Sequence, residues 1–136
     1  MGDDETRARN RAAVEGAVRA INEGDAPAQM AHCTDDFVLE FPFADPPKRL
    51  EGKAVVEPYL TNAFGLFDLD LRVVEVHETV DPDELIVEAA ATGTYLPNGA
   101  DYENRYVIVY GFRDGLICRQ REYYNPLAAQ RSAAAG

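Results

Sequence analysis

The feature that most constrains this chain is a long β-hairpin predicted between residues 101 and 126. Arg113-Asp114-Gly115 separates two runs in which large side chains alternate, and an Asp-Gly pair in that setting is a strong signal of a tight turn. One face of the hairpin combines tyrosines with amides and a carboxylate, which suits the wall of a half-polar cavity better than a dry core. That face carries Tyr102, Asn104, Tyr106, Ile108, Tyr110, Phe112, Cys118, Gln120, Glu122 and Tyr124.

The rest of the chain predicts helices first and then a sheet. Apolar residues recur at helical spacing over 3–23 and 52–67, and Asp25 is placed to cap a short second helix that runs to residue 33. Strands are expected over 37–43, 69–79 and 85–96, with an irregular, proline-containing loop over 44–50. This order predicts one α+β domain over 1–136, with helices on one face of a strongly curved, mainly antiparallel sheet. Residues 129–136 are expected to fray.

Composition excludes several classes of partner. The formal net charge is −11, from 24 acidic and 13 basic residues, so the chain lacks the basic surface that binds nucleic acids or anionic membranes. No apolar run approaches the roughly 18–20 residues that span a bilayer. The first residues lack the apolar core of a secretory signal, and two distant cysteines predict reduced thiols, so a cytoplasmic protein is expected.

Neither a metal nor an organic cofactor is predicted. The only histidines, His32 and His77, have no neighbouring ligand at a metal-binding spacing. The chain also lacks the glycine-rich loop that holds nucleotide phosphates. The predicted strands are apolar on both faces, because Val107 and Val109 alternate with Tyr106 and Ile108. A second subunit is the simplest cover for the outer face, which predicts a homodimer.

The letters of the second half resemble a known family. Tyr102-Glu103-Asn104, Asp114-Gly115, Arg121-Glu122 and Asn125-Pro126 are similar to SnoaL-like proteins of the nuclear transport factor 2-like superfamily, and most closely to phenazine-biosynthesis A/B proteins. The resemblance is close over roughly the C-terminal half and rests on element order elsewhere. It implies a cone-shaped, barrel-like α+β fold whose sheet wraps around the N-terminal helices and encloses a pocket.

The resemblance also assigns roles, residue by residue. In the phenazine proteins the glutamate of the matching Arg-Glu motif is the proposed acid and base, and here that residue is Glu122. Their Tyr-Glu-Asn tyrosine lines the pocket, which implies the same for Tyr102. Two departures stand out: the helix histidine and serine of that group fall near Tyr59 and Ala63. The aspartate base of SnoaL-type cyclases is replaced by Asn125, which cannot accept a proton.

Residue chemistry supports the same candidates. A carboxyl among aromatic groups has its pKa raised by desolvation, which suits Glu122 for proton transfer; the alternative is a structural ion pair with a neighbouring arginine. Tyr102 and Asn104 could donate hydrogen bonds to a developing enolate, or could simply be satisfied core residues. Glu40 and Asp45, where the first strand meets its loop, could supply a second carboxylate beside Glu122, or could be exposed. The expected substrate-binding residues are Phe41, Phe43, Tyr59, Phe64, Tyr106, Tyr110 and Tyr124.

These observations favour a cofactor-independent enzyme of secondary metabolism. It would catalyse isomerisation, cyclisation or dehydration next to a carbonyl of a small apolar or aromatic molecule, with Glu122 moving the proton. The alternative is a non-catalytic protein that binds a small ligand in the same cavity. The state of Glu122 separates the two hypotheses: a carboxyl that faces an open cavity without an arginine partner favours the enzyme.

Overall fold

The computed structural model describes residues 1–135, which form helices and one six-stranded sheet. None of the helices in this range is long and apolar enough to cross a membrane. The helices are α1 (Asp3–Asn22), α2 (Ala26–Met30), α3 (Lys53–Leu66) and α4 (Pro126–Ala134). The strands are β1 (Cys33–Phe41), β2 (Lys48–Glu51), β3 (Phe67–Glu78), β4 (Glu84–Tyr95), β5 (Ala100–Arg113) and β6 (Leu116–Tyr124).

The sheet has the order β2-β1-β6-β5-β4-β3, and every neighbouring pair is antiparallel except β1 with β6. Strands β3 to β6 follow one another in the chain and in the sheet, as consecutive hairpins do. Helices α1, α2 and α3 cover one face, and the core forms between them and the sheet. The predicted α+β fold, with a curved and mainly antiparallel sheet around the N-terminal helices, is confirmed.

The predicted hairpin is formed by β5 and β6. Arg113 pairs with Leu116, so Asp114 and Gly115 are the two turn residues, with φ of 53° and 80°. Two consecutive positive φ angles match the right-handed twist of the strands, and Asp-Gly tolerates them at low cost. The register then pairs Tyr106 with Tyr124, which fixes which side chains of the hairpin share a face.

Gly93 allows β3 and β4 to approach closely at the wide end of the sheet. A Cβ atom at this position would lie 2.0 Å from the backbone oxygen of Asp68. Only glycine fits there, as is typical of a glycine within a strand that another backbone approaches closely.

Helix α1 is attached to the sheet by its apolar face and by an amide at its end. Val14 and Ala17 are almost fully buried. Asn22 donates to the backbone oxygen of Leu71 at 2.9 Å and accepts from the backbone nitrogen of the same residue at 2.7 Å. This two-sided contact satisfies a backbone position of β3 that has no further strand beside it, and it holds α1 along that edge.

The structure corrects the predicted limits of the first strand. Asp25 caps α2 as expected, accepting from the backbone nitrogen of Ala28 at 3.0 Å, but the helix ends at Met30 and Cys33 already begins β1. The strand ends at Phe41, before Pro42, instead of continuing to Phe43. Part of the expected loop, Lys48–Glu51, pairs with β1 as an edge strand. The charged side chains of this segment give no strand pattern, because a strand at the edge of a sheet pairs through its backbone alone.

The C-terminal segment is also different from its prediction. Instead of a frayed tail over 129–136, residues up to Ala134 form α4, and Ser132 is buried. The Ser132 hydroxyl donates to the backbone oxygen of Asp101 at 2.7 Å, and Asn98 donates to the backbone oxygen of Ser132 at 2.9 Å. These contacts hold the helix against the β4–β5 turn. The last residue of the predicted tail, Gly136, lies outside the described residues.

Candidate active site

A cavity of about 190 Å³ lies between the inner face of the sheet and the helices. This volume is below the roughly 300–1,000 Å³ of typical ligand sites, which limits a ligand to one or two rings. Most of its lining is aliphatic or aromatic. The lining residues are Ile21, Gln29, Leu39, Phe41, Tyr59, Leu60, Ala63, Phe64, Phe67, Leu69, Leu71, Tyr102, Tyr106, Gln120, Glu122, Tyr124 and Ala129.

The polar part of this lining comes from the β5–β6 hairpin. Successive side chains of a strand point to opposite faces, so Gln120, Glu122 and Tyr124 all point from β6 towards the helices. Tyr102 and Tyr106 do the same from β5. On the opposite wall, α3 presents Tyr59, Ala63 and their neighbours one helical turn apart. The cavity therefore has one polar wall, built by the strands, and a largely apolar wall, built by helices.

Glu122 is the acidic residue of the cavity wall. Burial raises the pKa of its carboxyl from 4.5 to about 7, and a hydrogen bond from the Gln120 amide, at 3.3 Å, lowers it only slightly. Its side chain is half-buried and lines the cavity. Within residues 1–135, no arginine or lysine nitrogen lies within salt-bridge distance of this carboxyl. The structural ion pair that was the alternative for Glu122 is therefore not formed.

Two tyrosine hydroxyl groups form a hydrogen-bonded pair beside this carboxyl. The Tyr102 and Tyr106 oxygens are 2.7 Å apart, and the Asn104 amide donates to the Tyr102 oxygen at 2.9 Å. The orientation of that amide is fixed, because its oxygen accepts from the backbone nitrogens of Arg105 and Asn125 at 2.9 and 3.0 Å. One of the two hydroxyl groups donates its proton to the other. The second hydroxyl proton of the pair is left for another acceptor.

The tyrosines around the cavity remain protonated at neutral pH. Desolvation is the main cause that raises the pKa of Tyr59, Tyr102, Tyr106 and Tyr124, and the nearby charge of Glu122 raises each of them further. A neutral phenol donates a hydrogen bond, whereas a phenolate cannot. The wall therefore pairs one group that exchanges protons near neutrality with hydroxyl donors that do not.

Most of the predicted site residues meet at this cavity. Phe41, Tyr59, Phe64, Tyr102, Tyr106, Glu122 and Tyr124 all line it. Asn104 does not line it: the side chain is buried, and it joins Tyr102 to the backbone at Asn125, where it donates to the Asn125 oxygen at 2.9 Å. Its role is to position Tyr102 instead of contacting a ligand.

Two predicted lining residues lie elsewhere. Phe43 is 60% exposed and packs edge-to-face on Tyr123, with ring centroids 5.1 Å apart, on the outer side of the sheet. The strand ends at Phe41, so the alternation on which the prediction rested does not extend to Phe43. Tyr110 is fully buried in the core, its ring 6.2 Å from that of Phe112, and it is not among the lining residues.

The residues that differ from the phenazine pattern lie partly on the cavity wall and partly away from it. Tyr59 and Ala63, near which the resemblance places that histidine and serine, both line the cavity. Asn125 instead caps α4 by accepting from the backbone nitrogen of Leu127 at 3.0 Å. Glu40 forms an ion pair with Arg49 at 3.1 Å, on the face opposite to Leu39 and Phe41, and is not a second carboxylate of the cavity.

Gln29 is the cavity residue that sequence reasoning missed. It is almost fully buried on α2, although a polar residue on a short helix normally predicts a solvent-facing position. Gln120 lies on the predicted pocket face, and the strand alternation could have identified it as a lining residue. For Gln29 the only signal is its position next to the buried Met30.

His77 lies on the outer side of the sheet, away from the cavity. Its Nε2 is 2.6 Å from Glu88 and 3.8 Å from Glu75, and the hydrogen bond to Glu88 is the main cause that raises the pKa of the imidazole. These residue types can hold a metal ion together. Their contact is explained by the hydrogen bond between the imidazole and Glu88, which faces Glu75 across β3 and β4.

Comparison with known proteins gives consistent relatives. The model of the SnoaL-like domain family matches residues 14–120. An uncharacterized PhzA/B-like protein of Pseudomonas aeruginosa, PA3332, is 32% identical over 117 residues, which cover 82% of this chain and 80% of that protein. The crystal structure of a candidate isomerase from Bacillus subtilis superimposes with a TM-score of 0.88 at 27% identity, covering 100% of this chain and 98% of that one. Δ5-3-ketosteroid isomerase from Mycobacterium sp. has a TM-score of 0.75 and 26% identity, over 88% and 95% of the two chains.

Proposed function

The chain belongs to the SnoaL-like domain family, and from that premise we propose that it is a cofactor-independent enzyme that moves a proton next to a carbonyl group. The substrate is a small apolar or aromatic molecule of secondary metabolism, and the reaction class is isomerisation, cyclisation or dehydration. Similarity to a ketosteroid isomerase and to a candidate isomerase supports this class of reaction. The fold itself carries many activities, so the argument depends on the site.

The observation that carries the proposal is the environment of Glu122. This carboxyl lines an apolar cavity without an arginine or lysine partner in the described part of the chain, and burial raises its pKa to about 7. Both of its protonation states are then populated near neutral pH. A group in this condition can remove a proton from carbon and return it elsewhere, because neither state is strongly favoured.

The hydroxyl pair supplies the second requirement. Removal of a proton next to a carbonyl moves negative charge onto the carbonyl oxygen, and a fixed hydrogen-bond donor stabilises that charge. Tyr102 or Tyr106 can donate, because only one of their two protons is used between them. Asn104 fixes Tyr102 in place, so little reorganisation is needed when the charge develops.

The proposed reaction has two steps, and Glu122 moves the proton in both. The ionised Glu122 takes a proton from the carbon next to the carbonyl, and the electron pair of that C–H bond forms an enolate whose oxygen accepts from the tyrosine pair. In an unsaturated ketone the protonated Glu122 returns the proton to the far carbon of the conjugated dienolate, and the carbonyl re-forms. In a β-hydroxy ketone it gives the proton to the hydroxyl group, whose C–O bond breaks as the enolate electrons form a C=C bond and water leaves. The first outcome is isomerisation and the second is dehydration.

A non-catalytic ligand-binding protein is the alternative. It is favoured by Tyr59 and Ala63, which stand where the phenazine proteins carry a histidine and a serine, because neither of these side chains is suited to acid–base chemistry near neutral pH. In this case the cavity holds the same class of molecule, and Glu122 serves only as a hydrogen-bonding group.

The proposed assembly is a homodimer through the outer face of the sheet. Val74 and Val107 are 61% and 42% exposed on this face, beside Phe43. Charges of both signs surround them, including Arg105 and Glu88, so two copies related by a two-fold axis can pair opposite charges.

The proposed compartment is the cytoplasm, in keeping with two free cysteines.

Solvent exchange tests the proposal without knowledge of the natural substrate. Tetralone, a neutral bicyclic ketone, is incubated with the protein in D₂O, and deuterium incorporation next to the carbonyl is followed by NMR. The wild type is expected to accelerate exchange, and Glu122→Gln is expected to lower the rate by about a hundredfold or more, because the amide cannot accept the proton. Binding without accelerated exchange would reject the enzyme in favour of the ligand-binding alternative.

A further inference from the structure

One polar group on the cavity wall has no partner. Gln29 is 2% exposed and lines the cavity, and its amide oxygen is closed off from water and accepts no hydrogen bond within residues 1–135. The other amides near the polar wall differ in this respect, since Gln120 donates to Glu122 and Asn104 is held by Tyr102 and the backbone. A buried carbonyl oxygen without a partner destabilises the protein, so an unpartnered amide on a residue of the cavity wall points to a ligand that satisfies it.

The backbone keeps Gln29 at this place. The Asp25 cap fixes the first turn of α2, and the backbone nitrogen of Gln29 donates to the backbone oxygen of Asp25 at 3.0 Å. At the other end, the backbone oxygen of Gln29 accepts from the His32 nitrogen at 3.1 Å and from the Cys33 thiol at 3.7 Å. The last side-chain torsion of a glutamine is soft, and a turn about it can bring the amide oxygen to the cavity.

The charge of the lining determines which donor fits. The lining contains no arginine, lysine or histidine among the described residues, and its acidic member is Glu122. A ligand carboxylate would be buried beside that acid without a counter-charge, which is unfavourable. A ligand cation would pair with Glu122 and withdraw it from proton transfer. An uncharged hydroxyl group is the donor that satisfies Gln29 and leaves Glu122 free.

We propose that Gln29 recognises a hydroxyl group of the substrate, which makes the substrate class a neutral, hydroxylated cyclic ketone of one or two rings. This inference rests on the proposed function in one respect, since the carbonyl of the ligand is assigned to the tyrosine pair. The hydroxyl donates to the Gln29 amide oxygen while the carbonyl accepts from Tyr102 or Tyr106. The amide thereby selects among ketones that the apolar walls would otherwise bind equally well.

Calorimetry with matched probes tests this role. Unsubstituted tetralone and its ring-hydroxylated positional isomers are titrated into the wild type, Gln29→Leu and Glu122→Gln. Gln130→Leu is the control, because it makes the same chemical change on an exposed position of α4. The wild type and Gln130→Leu are expected to bind at least one hydroxylated isomer about tenfold more tightly than tetralone. Gln29→Leu is expected to lose that preference and to retain affinity for tetralone.

Stability gives a second readout. Because leucine removes the unpartnered oxygen and keeps the volume, Gln29→Leu is expected to unfold at the same temperature as the wild type or higher. Unfolding at a clearly lower temperature would show that the amide has a structural partner and would overturn the inference. Equal affinity of the wild type for all tetralones, or binding of none of them, would overturn it too.

Different results would reject proton transfer by Glu122 and hydroxyl recognition by Gln29. Glu122→Gln is expected to keep the preference for a hydroxylated probe, because the variant leaves Gln29 unchanged. A hydroxyl preference without accelerated deuterium exchange would reject proton transfer alone. Accelerated exchange with no hydroxyl preference would reject the role of Gln29 alone.

Discussion

Replacement of Glu122 by glutamine should stabilise the protein at neutral and alkaline pH. The carboxyl has a pKa of about 7 in the folded protein and 4.5 as its ordinary value. An acid with a raised pKa favours the protonated form on folding, so the wild type loses stability as the pH rises from about 4.5 to about 7. The loss is constant above that range. Glutamine has the same shape and no charge, and it avoids this loss.

The size of the effect follows from the difference of 2.5 between the two pKa values. At about 1.36 kcal/mol for each unit, Glu122→Gln should raise the free energy of unfolding by about 3 kcal/mol above neutral pH. The gain should fall to near zero at about pH 4, where the wild-type carboxyl is protonated in both states. For a chain of 136 residues this corresponds to an unfolding temperature higher by roughly 10 °C.

Urea unfolding followed by circular dichroism, repeated between about pH 4 and pH 8, measures this difference. Glu103→Gln is the matched control, because Glu103 is an exposed glutamate on the same hairpin and its replacement should change stability by less than about 0.5 kcal/mol. A Glu122→Gln variant that is no more stable than the wild type at about pH 8 would refute the argument that this carboxyl is ionised at a desolvating site.

Three further substitutions test separate parts of the structure. Tyr102→Phe should lower the rate of deuterium exchange into tetralone about a hundredfold while the protein stays folded, because it removes the oxygen that links the hydroxyl pair. Asn104→Ala should lower the free energy of unfolding by about 2–4 kcal/mol in urea unfolding, since it removes hydrogen bonds to Tyr102 and to the backbone of Asn125. Val107→Arg should convert a dimer into a monomer in sedimentation velocity, because it places like charges at the centre of the proposed interface.

Controls and contrary outcomes are specific to each substitution. Tyr123→Phe changes a tyrosine of the outer face and should leave exchange unaffected, so an equal loss in both variants would remove the role of Tyr102. Asn104→Ala with unchanged stability would contradict the observed hydrogen bonds. Val80→Arg adds the same charge at a fully exposed loop position. If the wild type is already a monomer, the outer sheet face has no second subunit.

The parts of the fold that the sequence predicts well are those with a strong local signal. The Asp114-Gly115 turn and the alternation beside it identify the hairpin, because only a few residue types adopt two consecutive positive φ angles. The same alternation places Tyr102, Glu122 and Tyr124 on one face, as the cavity requires. Composition alone would not locate the site on this hairpin.

The parts that are missed depend on contacts between distant residues. The edge strand Lys48–Glu51 is held by backbone pairing with β1, which its charged side chains do not reveal. Helix α4 is held by Ser132 and Asn98, far apart in sequence, and its small residues predict a loose tail. The prediction for Phe43 extends the alternation of the first strand to residue 43, but the ends of a strand are predicted less reliably than its centre. Because the strand ends at Phe41, Phe43 lies on the outer surface.

The site shows the same division. Alternation predicts the face of the sheet on which Asn104 lies, but it does not predict its hydrogen-bond partners. Only the structure shows that Asn104 positions Tyr102 instead of donating to a ligand. Gln29 has no periodic signal, because its place on the cavity wall results from how α2 packs against the sheet. Sequence reasoning finds the polar strand wall and, on the opposite helical wall, Tyr59 and Phe64, but not Gln29.

The central claim is that Glu122 exchanges protons near neutral pH inside the cavity, and its own titration tests this most directly. The protein is labelled with ¹³C in the glutamate side-chain carboxyls, and the Glu122 signal is assigned as the one that is missing in Glu122→Gln. Chemical shift against pH should give a midpoint near 7 for this carboxyl. A midpoint at or below 4.5, the ordinary value, would mean that Glu122 is well solvated or paired, and it would contradict the proposed proton transfer.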